Sequence, residues 1–319
     1  MRFLPPKEGF NKISALASKN IPFLFIISYD KSKIFVEPLL SLPKEIEFSF
    51  NSSFNNIGKK GYLAKYPINF NEYLIAFNRV IENIKAGNSY LFNLTFKTPI
   101  STNLELKEIF KYAKAPFKLY IKDRFVCFSP ERFIKIEDNI ISTYPMKGTI
   151  DANIKDAKDK ILKNQKELAE HVMIVDLLRN DLNIIGFDTR VEKFRYIDKI
   201  KAGNKELLQV SSKITSKLPT NWRQNLGEIL DLITPAGSIT GTPKKKTIEL
   251  IKEIENYNRE LYTGVFGIFD GKNLDSAVMI RAISKEKSRL FYYSGGGVTI
   301  DSNPKDEYNE LIDKIYLPF

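Results

Sequence analysis

Strand-forming runs follow one another along this chain with only short polar turns between them. SYLFNLTFKTPI (89–100), FKLYIKD, FVCFSPERFIKIED and NIISTYPMKGT stand in a row, and VFGIFD, AVMIRAISK and RLFYYSGGGVTID form a second series near the C-terminus. Strands joined by a few residues pair antiparallel, whereas parallel neighbours need a crossover of a dozen residues or more. The pattern predicts an α+β chain with mostly antiparallel sheets, not a doubly wound parallel sheet. Ahead of these runs, FLFIISY, a DKSK turn and IFVEPL read as a hairpin over 20–40, and 42–66 as a polar loop. Apolar spacing predicts helices over 71–86, ending at Gly87, over 151–182, and from about Pro304 onward. A boundary near residue 68 would leave 1–68 as a short appendage packed on a main domain, 69–319.

With 319 residues, 43% of them hydrophobic, the chain is long enough to bury a sizeable core. The run IPFLFII is too short to span a bilayer, and MRFLPPKEGF lacks the layout of a secretory signal. The one cysteine, Cys127, excludes an intramolecular disulfide and a cysteine metal cluster. A cytoplasmic protein is the expectation. The net charge of +11 comes with acidic residues interleaved throughout, and no basic block exceeds KKK at 244–246. That reads as a lysine-rich composition rather than a nucleic-acid or membrane surface, though it would help to draw in a small anion.

Against so many lysines, Lys147 has an unusual setting, in TYPMKGT between a strand and a helix. A surface lysine needs no glycine and proline beside it; such a setting suits a reactive amine. Glu131 in SPERF lies 16 residues upstream. On adjacent antiparallel strands the two would share a rim, where an acid and an amine can act as proton donor and nucleophile. In KELAEHVMIVDLLRNDL, Leu168, Val172, Val175, Leu178 and Leu182 make an apolar stripe with Glu170 at its shoulder. His171, the only histidine, reads as a polar helix residue, and without a second one a His-based zinc site is excluded. In DSNPKDEYNELIDKIY, Asn303 is a cap and Pro304 the first helical residue. Glu307, Glu310 and Lys314 then fall on one face, with Tyr308, Leu311, Ile312 and Ile315 packed; the charged three are either a surface ion pair or part of a site. Gly295, Gly296 and Gly297 form either a backbone nest for an anion or a bulge. In PAGSITGTPKKK, Thr242 is expected to cap a helix opened by Pro243, another place for an anion.

Together AGNSYLFNLT (86–95), SPERF, PMKGT, AEHVMIVDLLRNDL, PAGSITGTPK, ELYTGVFG, MIRA and SGGGVTIDSNPKDEYNELIDK resemble the chorismate-utilising enzymes, in the family's order and over roughly residues 70–319. The resemblance implies antiparallel sheets in a β-sandwich flanked by helices. PMKGT is similar to the lysine form of this motif in aminodeoxychorismate synthase component I, where anthranilate synthases carry alanine. Isochorismate and salicylate synthases use a base lysine at the place of Leu91.

The resemblance implies Lys147 as nucleophile and Glu131 as acid. It implies Mg²⁺ held by Glu170 and Glu310, with Glu307 as outer partner. Arg281, Tyr262, Lys314 and the amides of Gly295–Gly297 would hold the enolpyruvyl carboxylate, with Gly148, Thr149 and Ser238 lining the substrate. The implied reaction turns chorismate and ammonia into 4-amino-4-deoxychorismate, toward 4-aminobenzoate and folate. Cys127 is not in a glutaminase setting, so a separate glutamine amidotransferase is the expected ammonia source. A separate lyase would complete 4-aminobenzoate, since the sequence stops at Phe319. Gln209 replaces a histidine common in relatives, which removes any proton-carrying role there. The short N-terminal part makes feedback by tryptophan doubtful. Rival readings are another chorismate enzyme, anthranilate synthase foremost, and a non-catalytic binding protein suggested by charge alone.

Overall fold

The computed structural model describes residues 1–51, 61–202 and 205–319. Contacts divide the chain into two compact units. Unit 1 comprises Met1–Leu42, Glu131–Ser238 and Gly264–Val278; unit 2 comprises Pro43–Pro130, Ile239–Thr263 and Met279–Phe319.

Unit 1 is built on one antiparallel sheet. Its strands are β1 (Phe23–Ile27), β2 (Ile34–Pro38), β8 (Arg132–Glu137), β9 (Ile140–Thr143), β10 (Met146–Asp151), β11 (Phe187–Ala202), β12 (Lys205–Lys217), β14 (Val265–Phe269) and β15 (Leu274–Val278). The order is β10-β12-β9-β8-β15-β14-β1-β2, with β11 also on β12. Four helices belong to it: α1 (Pro6–Ser18), α4 (Ala157–Lys163), α5 (Gln165–Ile185) and α6 (Leu226–Ile233). Residues 1–42 are integral to this unit. β1 is buried along its whole length and pairs with β14 from Phe23↔Phe269 to Ile27↔Val265. Helix α6 approaches α1 so closely that a Cβ on Gly227 would lie 2.0 Å from the Phe10 carbonyl oxygen. The β8–β9 turn is two residues, Asp138 and Asn139, both at positive φ, as a tight hairpin requires.

Unit 2 carries the second antiparallel sheet, of β3 (Ile46–Phe50), β4 (Leu63–Lys65), β5 (Leu91–Thr102), β6 (Phe117–Ile121), β7 (Phe125–Ser129), β13 (Gly241–Thr242), β16 (Ala282–Glu286) and β17 (Arg289–Val298). Its order is β13-β5-β17-β16-β7-β6-β3, with β4 on the far end of β5. The helices are α2 (Phe70–Lys85), α3 (Leu106–Tyr112), α7 (Lys244–Ile254) and α8 (Pro304–Asp313). Helix α2 shows why these segments are helical. The Asn69 side chain accepts from Glu72 N–H at 3.0 Å, Tyr73, Phe77, Val80 and Ile84 recur at helical spacing and are buried, and Gly87 at φ +75° follows the end. Tyr120, Val126, Phe128, Ile283, Tyr292 and Ile315 are among the residues that close the core of this unit.

The α+β character and antiparallel pairing agree with the sequence reading; several details differ. FVCFSPERFIKIED is two strands in two different sheets, β7 and β8, because the chain passes between units at Pro130–Glu131. AVMIRAISK splits likewise into β15 and β16, with Arg281 at φ +52° just before the second strand. The stretch read as loop, 42–66, holds β3 and β4 among its described residues; 52–60 lie outside them. Thr242 is not a cap: it pairs with Leu91 in β13, its carbonyl accepts from Tyr90 N–H at 2.8 Å, and Pro243 takes the cap position of α7. Strands β11 and β12 have no counterpart in the sequence reading, because charges at nearly every second or third residue mask their alternation.

Candidate active-site residues

In unit 1 the unusual setting of Lys147 has a structural basis. Pairing of β10 with β12 is interrupted between Met146 and Thr149, and Gly148 takes φ +84° there. An irregularity with a left-handed residue redirects the side chain next to it, and glycine adopts that backbone without strain. Lys147 Nζ lies 3.2 Å from Glu170 Oε2, with side-chain exposures of 24% and 10%. Glu170 is thus aimed inward from α5. Glu167, one turn earlier, reaches the same place, its Oε2 3.2 Å from where a Cβ on Gly148 would be. Thr149 is exposed and sits opposite Gln209 on β12.

Glu131 precedes β8 and its carbonyl accepts from Val278 N–H at 3.1 Å. Its carboxylate Oε1 accepts a short hydrogen bond from Ser238 Oγ. Glu131 and Lys147 are not on adjacent strands as expected: β9 and β12 stand between β8 and β10 in the sheet, because the EDNI turn joins β8 to β9 only. His171 is no polar surface residue either. It is fully buried, with Nε2 2.7 Å from Ser212 Oγ, which also accepts from Arg195 N–H at 2.9 Å. Burial first, then the positive charges of Arg195 and Lys147, push the imidazole down to about 4, so it is neutral at physiological pH. Val172, read as part of the apolar stripe, points outward. The buried face of α5 is rotated from that stripe to include Glu170, His171, Ile174, Val175, Leu178 and Asp181.

In unit 2 the three glycines form neither a nest nor a bulge. They lie in regular β17, paired with Thr95, Leu94 and Asn93 of β5, and none has positive φ. Their lack of side chains serves close approach. A Cβ on Gly295 would stand 2.2 Å from the Leu94 carbonyl oxygen. One on Gly296 would stand 3.3 Å from Glu307 Oε2, 3.6 Å from Glu310 Oε1 and 3.6 Å from Lys314 Nζ, so these charged ends converge over that glycine. Asn303 caps α8 as expected, accepting from Lys305 and Asp306 N–H. Lys314 Nζ bridges Glu310 Oε1 at 2.5 Å and the Gly295 carbonyl oxygen at 2.8 Å. Glu307 is buried and accepts from Ser302 Oγ at 2.8 Å. The Tyr73 phenol is pushed far above its usual range by burial, and further by the charges of Glu307 and Glu310.

Arg281, in its strained left-handed conformation, donates from Nη1 to the Lys314 carbonyl oxygen at 2.8 Å. Tyr262 is buried and stacks on Tyr293 at 4.8 Å and 17°. Behind it lies an ion pair that the sequence did not single out. Arg259 meets Glu255 through Nε (2.8 Å) and Nη2 (2.7 Å), both side chains 1% exposed, and also donates to the carbonyls of Ile239 and Asn93. In sequence, E-x-x-x-R after a helix looks like any surface pair; here α7 ends at Ile254 and the pair lies just beyond it. Glu167, also missed, had a signal: ELAE repeats the spacing of EYNE at 307–310.

The charged clusters have the chemistry of hard-cation ligands. Magnesium takes carboxylate oxygens from a protein and keeps several waters, and Glu307 with Glu310 over Gly296, or Glu170 with Glu167 beside Gly148, supply such oxygens in pairs. Among the described residues no three His, Cys, Asp or Glu side chains gather as one group. Glu170 and Glu310 each already pair with a lysine, Lys147 and Lys314, so a cation there would compete with that amine.

Comparison with known proteins then decides the family: the profile described as "chorismate binding enzyme" matches residues 56–318. The chain belongs to the chorismate-binding enzymes. Among curated relatives, an uncharacterized PabA-like protein of Haemophilus influenzae is 47% identical over 307 residues, covering 93% of this chain and 92% of that one. Aminodeoxychorismate synthase component 1 of Bacillus subtilis is 31% identical over 259 residues, covering 75% of this chain and 54% of the relative, so this chain spans about half of it. Among solved structures, the menaquinone-specific isochorismate synthase of Escherichia coli superposes with a TM-score of 0.74 at 14% identity, covering 98% and 82% of the two chains. Anthranilate synthase component I of Streptococcus pneumoniae gives 0.69 at 23%, covering 79% and 58%. The fold is the one that these chorismate-binding enzymes share. No helix among the described residues is long and apolar enough to cross a membrane.

Proposed function

We propose that this chorismate-binding enzyme acts as an aminodeoxychorismate synthase component I, making 4-amino-4-deoxychorismate from chorismate and ammonia for 4-aminobenzoate and folate synthesis. The observation that carries the reading is the seating of Lys147: an inward-held amine at a glycine bulge, 3.2 Å from a carboxylate. The 31% identity to a relative named for this activity supports it.

Lys147 Nζ, once deprotonated, attacks ring carbon C2. The ring double bonds shift and the C4–O bond breaks, with Glu131 delivering a proton so that water departs. Ammonia then adds at C4, the C2–N bond breaks, and Lys147 is regenerated. Two displacements replace one difficult step. Glu170 Oε2, 3.2 Å away, pairs with the amine and fixes its direction. Glu170 and Glu310, with Glu307 as outer partner, are assigned to Mg²⁺, which would supply positive charge to the ring carboxylate of the substrate. Arg281, Tyr262, Lys314 and the amides of Gly295–Gly297 are assigned to the enolpyruvyl carboxylate, and Gly148 and Thr149 to the ring. A guanidinium suits a bidentate hold on a carboxylate. Ammonia comes from a separate glutamine amidotransferase, a separate lyase consumes the product, and this chain works in the cytoplasm.

The test incubates the chain with chorismate, Mg²⁺ and ammonium. A product that becomes 4-aminobenzoate only on addition of a lyase is expected, together with a mass increase on the peptide containing residue 147 when ammonia is withheld. Lys147→Ala should lose both. Direct release of anthranilate would assign the chain to the other amination, and wild-type turnover by Lys147→Ala would remove the nucleophile from the mechanism.

A further inference from the structure

Tyr262 is presented by an unusual piece of backbone. The chain turns at 259–262, where Tyr262 N–H donates to the Arg259 carbonyl oxygen at 2.9 Å and Glu260 takes φ +54°. Thr263 follows at φ +59° and is fully buried. A β-branched residue is strained in that region, where glycine sits without cost. Such strain persists only where the surroundings hold it, and it gathers at ligand sites. Here Thr263 N–H donates to the Met279 carbonyl oxygen at 2.8 Å. The Thr263 hydroxyl donates to the Tyr262 carbonyl oxygen at 2.6 Å and faces Arg259 Nη1 at 3.4 Å. The peptide between Tyr262 and Thr263 is thus fixed on both sides. The bond to Met279 ties it to the chain two residues before Arg281, within unit 2. The ring of Tyr262 is fixed as well, stacked on Tyr293. Burial pushes its phenol far above the usual range, so it stays protonated and can donate; the Arg281 charge is near enough to act in the opposite sense.

We propose that Thr263 is a positioning residue for Tyr262: its hydroxyl, held on a left-handed backbone, locks the peptide that aims the Tyr262 phenol at the carboxylate that Arg281 also holds. A glycine there would relax the backbone but free that peptide to turn, and a donor held loosely gives up part of its hydrogen bond. This rests on the assignment of Tyr262 and Arg281 to the enolpyruvyl carboxylate, and adds the residue that sets their geometry.

The test compares Thr263→Gly, Thr263→Ser, Tyr262→Phe and the double variant Thr263→Gly with Tyr262→Phe against the unaltered chain. Each is given chorismate, Mg²⁺ and ammonium. KM and kcat are read from consumption of chorismate, whichever product forms, and thermal unfolding is recorded beside them. In Thr263→Gly, KM should rise about 5- to 30-fold, as loosening one hydrogen bond to a charged group implies, with kcat within about threefold. Its melting temperature should stay within about 4 °C, because relief of the strained backbone offsets the lost hydroxyl. Thr263→Ser keeps the hydroxyl and should hold KM within about threefold. Tyr262→Phe should raise KM at least as far as Thr263→Gly, and the double variant no more than about twofold further, since Thr263 acts through that phenol. Unchanged KM in Thr263→Gly would overturn the inference. So would Thr263→Ser behaving like Thr263→Gly, a full further rise in the double variant, or a Thr263→Gly chain that fails to fold, which would make the residue purely structural. Unchanged KM in Tyr262→Phe would instead remove Tyr262 from the substrate site, and this inference with it. No consumption of chorismate by the unaltered chain would remove the synthase reading itself.

Discussion

Replacing Arg259 by methionine should destabilise unit 2 by about 3–5 kcal/mol, the usual cost of removing one partner from a buried ion pair. The structure puts this site at the upper end. Glu255 and Arg259 are each 1% exposed in their side chains, so solvent cannot screen a charge left behind. The substitution removes two charge-assisted bonds to Glu255 and the donors to the Asn93 and Ile239 carbonyl oxygens. Glu255 Oε1 would keep the N–H and hydroxyl of Thr95, both at 2.8 Å, which satisfy its hydrogen bonding but do not neutralise it.

The chain's one tryptophan, Trp222, is in unit 1, so its fluorescence reports elsewhere. Hydrogen exchange on peptides spanning 91–98 and 250–263 reads the site directly. At 1.36 kcal/mol per factor of ten, protection there should fall by roughly two to four powers of ten. Adding Glu255→Gln to Arg259→Met should recover at least about 1 kcal/mol, since the amide oxygen still accepts from Thr95 while the stranded charge is gone. Additive losses in the double variant, or protection in Arg259→Met within threefold of the unaltered chain, would refute the argument that charge pairing holds this region together.

His171 gives a pH dependence. Its folded-state value, about 4, lies below the ordinary 6.5, so the folded chain binds fewer protons between the two. Stability should fall as pH drops from about 6.5 toward 4, by up to about 3 kcal/mol, and level off below that. Urea titrations of Trp222 fluorescence across this range check it, and in His171→Gln that component should vanish. The glycines of β17 should separate folding from function. Gly295→Ala drives a Cβ into the Leu94 carbonyl and should lower stability by more than about 1 kcal/mol in hydrogen exchange of β5 and β17. Gly296→Ala meets only side-chain ends at 3.3–3.6 Å. It should fold normally yet weaken binding of Mg²⁺, read by calorimetry.

How much of this was legible in the sequence depended on the range of the interaction. The cap at Asn303, the α2 stripe and the Asp138–Asn139 turn are local, set by residues within one or two turns, and could be read directly. That β7 and β8, or β15 and β16, belong to different sheets could not be, because continuous strand propensity runs across both breaks and partner choice is made by residues more than a hundred positions away. His171 and Val172 exchanged places for a similar reason. Period alone leaves the rotation of a helix's buried face uncertain by one residue, and Ser212 opposite His171 settled it. The clustering of Glu307, Glu310 and Lys314 was visible as a face, but not the glycine beneath them.

The two units arrive at similar charge arrangements by different local means. In unit 1, Glu167 and Glu170 are one turn apart on α5, and the lysine that meets Glu170 comes from a strand bulge next to Gly148. In unit 2, Glu307 and Glu310 are one turn apart on α8, and the lysine that meets Glu310 follows on the same helix, over Gly296. Two carboxylates a turn apart repel, and the cost rises where one of them is buried, as Glu170 and Glu307 are; Glu310 is exposed. A lysine amine beside the second glutamate offsets that cost, and the adjacent glycine leaves room for both. In a chain with 49 lysines and arginines, the two lysines proposed for function are therefore set apart by company, a glycine on one side and a turn-spaced glutamate pair on the other, rather than by charge. Lys147 differs from Lys314 in one respect that bears on chemistry. Its backbone is held in a bulge instead of a helix end, so its amine has a fixed origin from which to reach a substrate carbon, as a nucleophile needs and an electrostatic anchor does not.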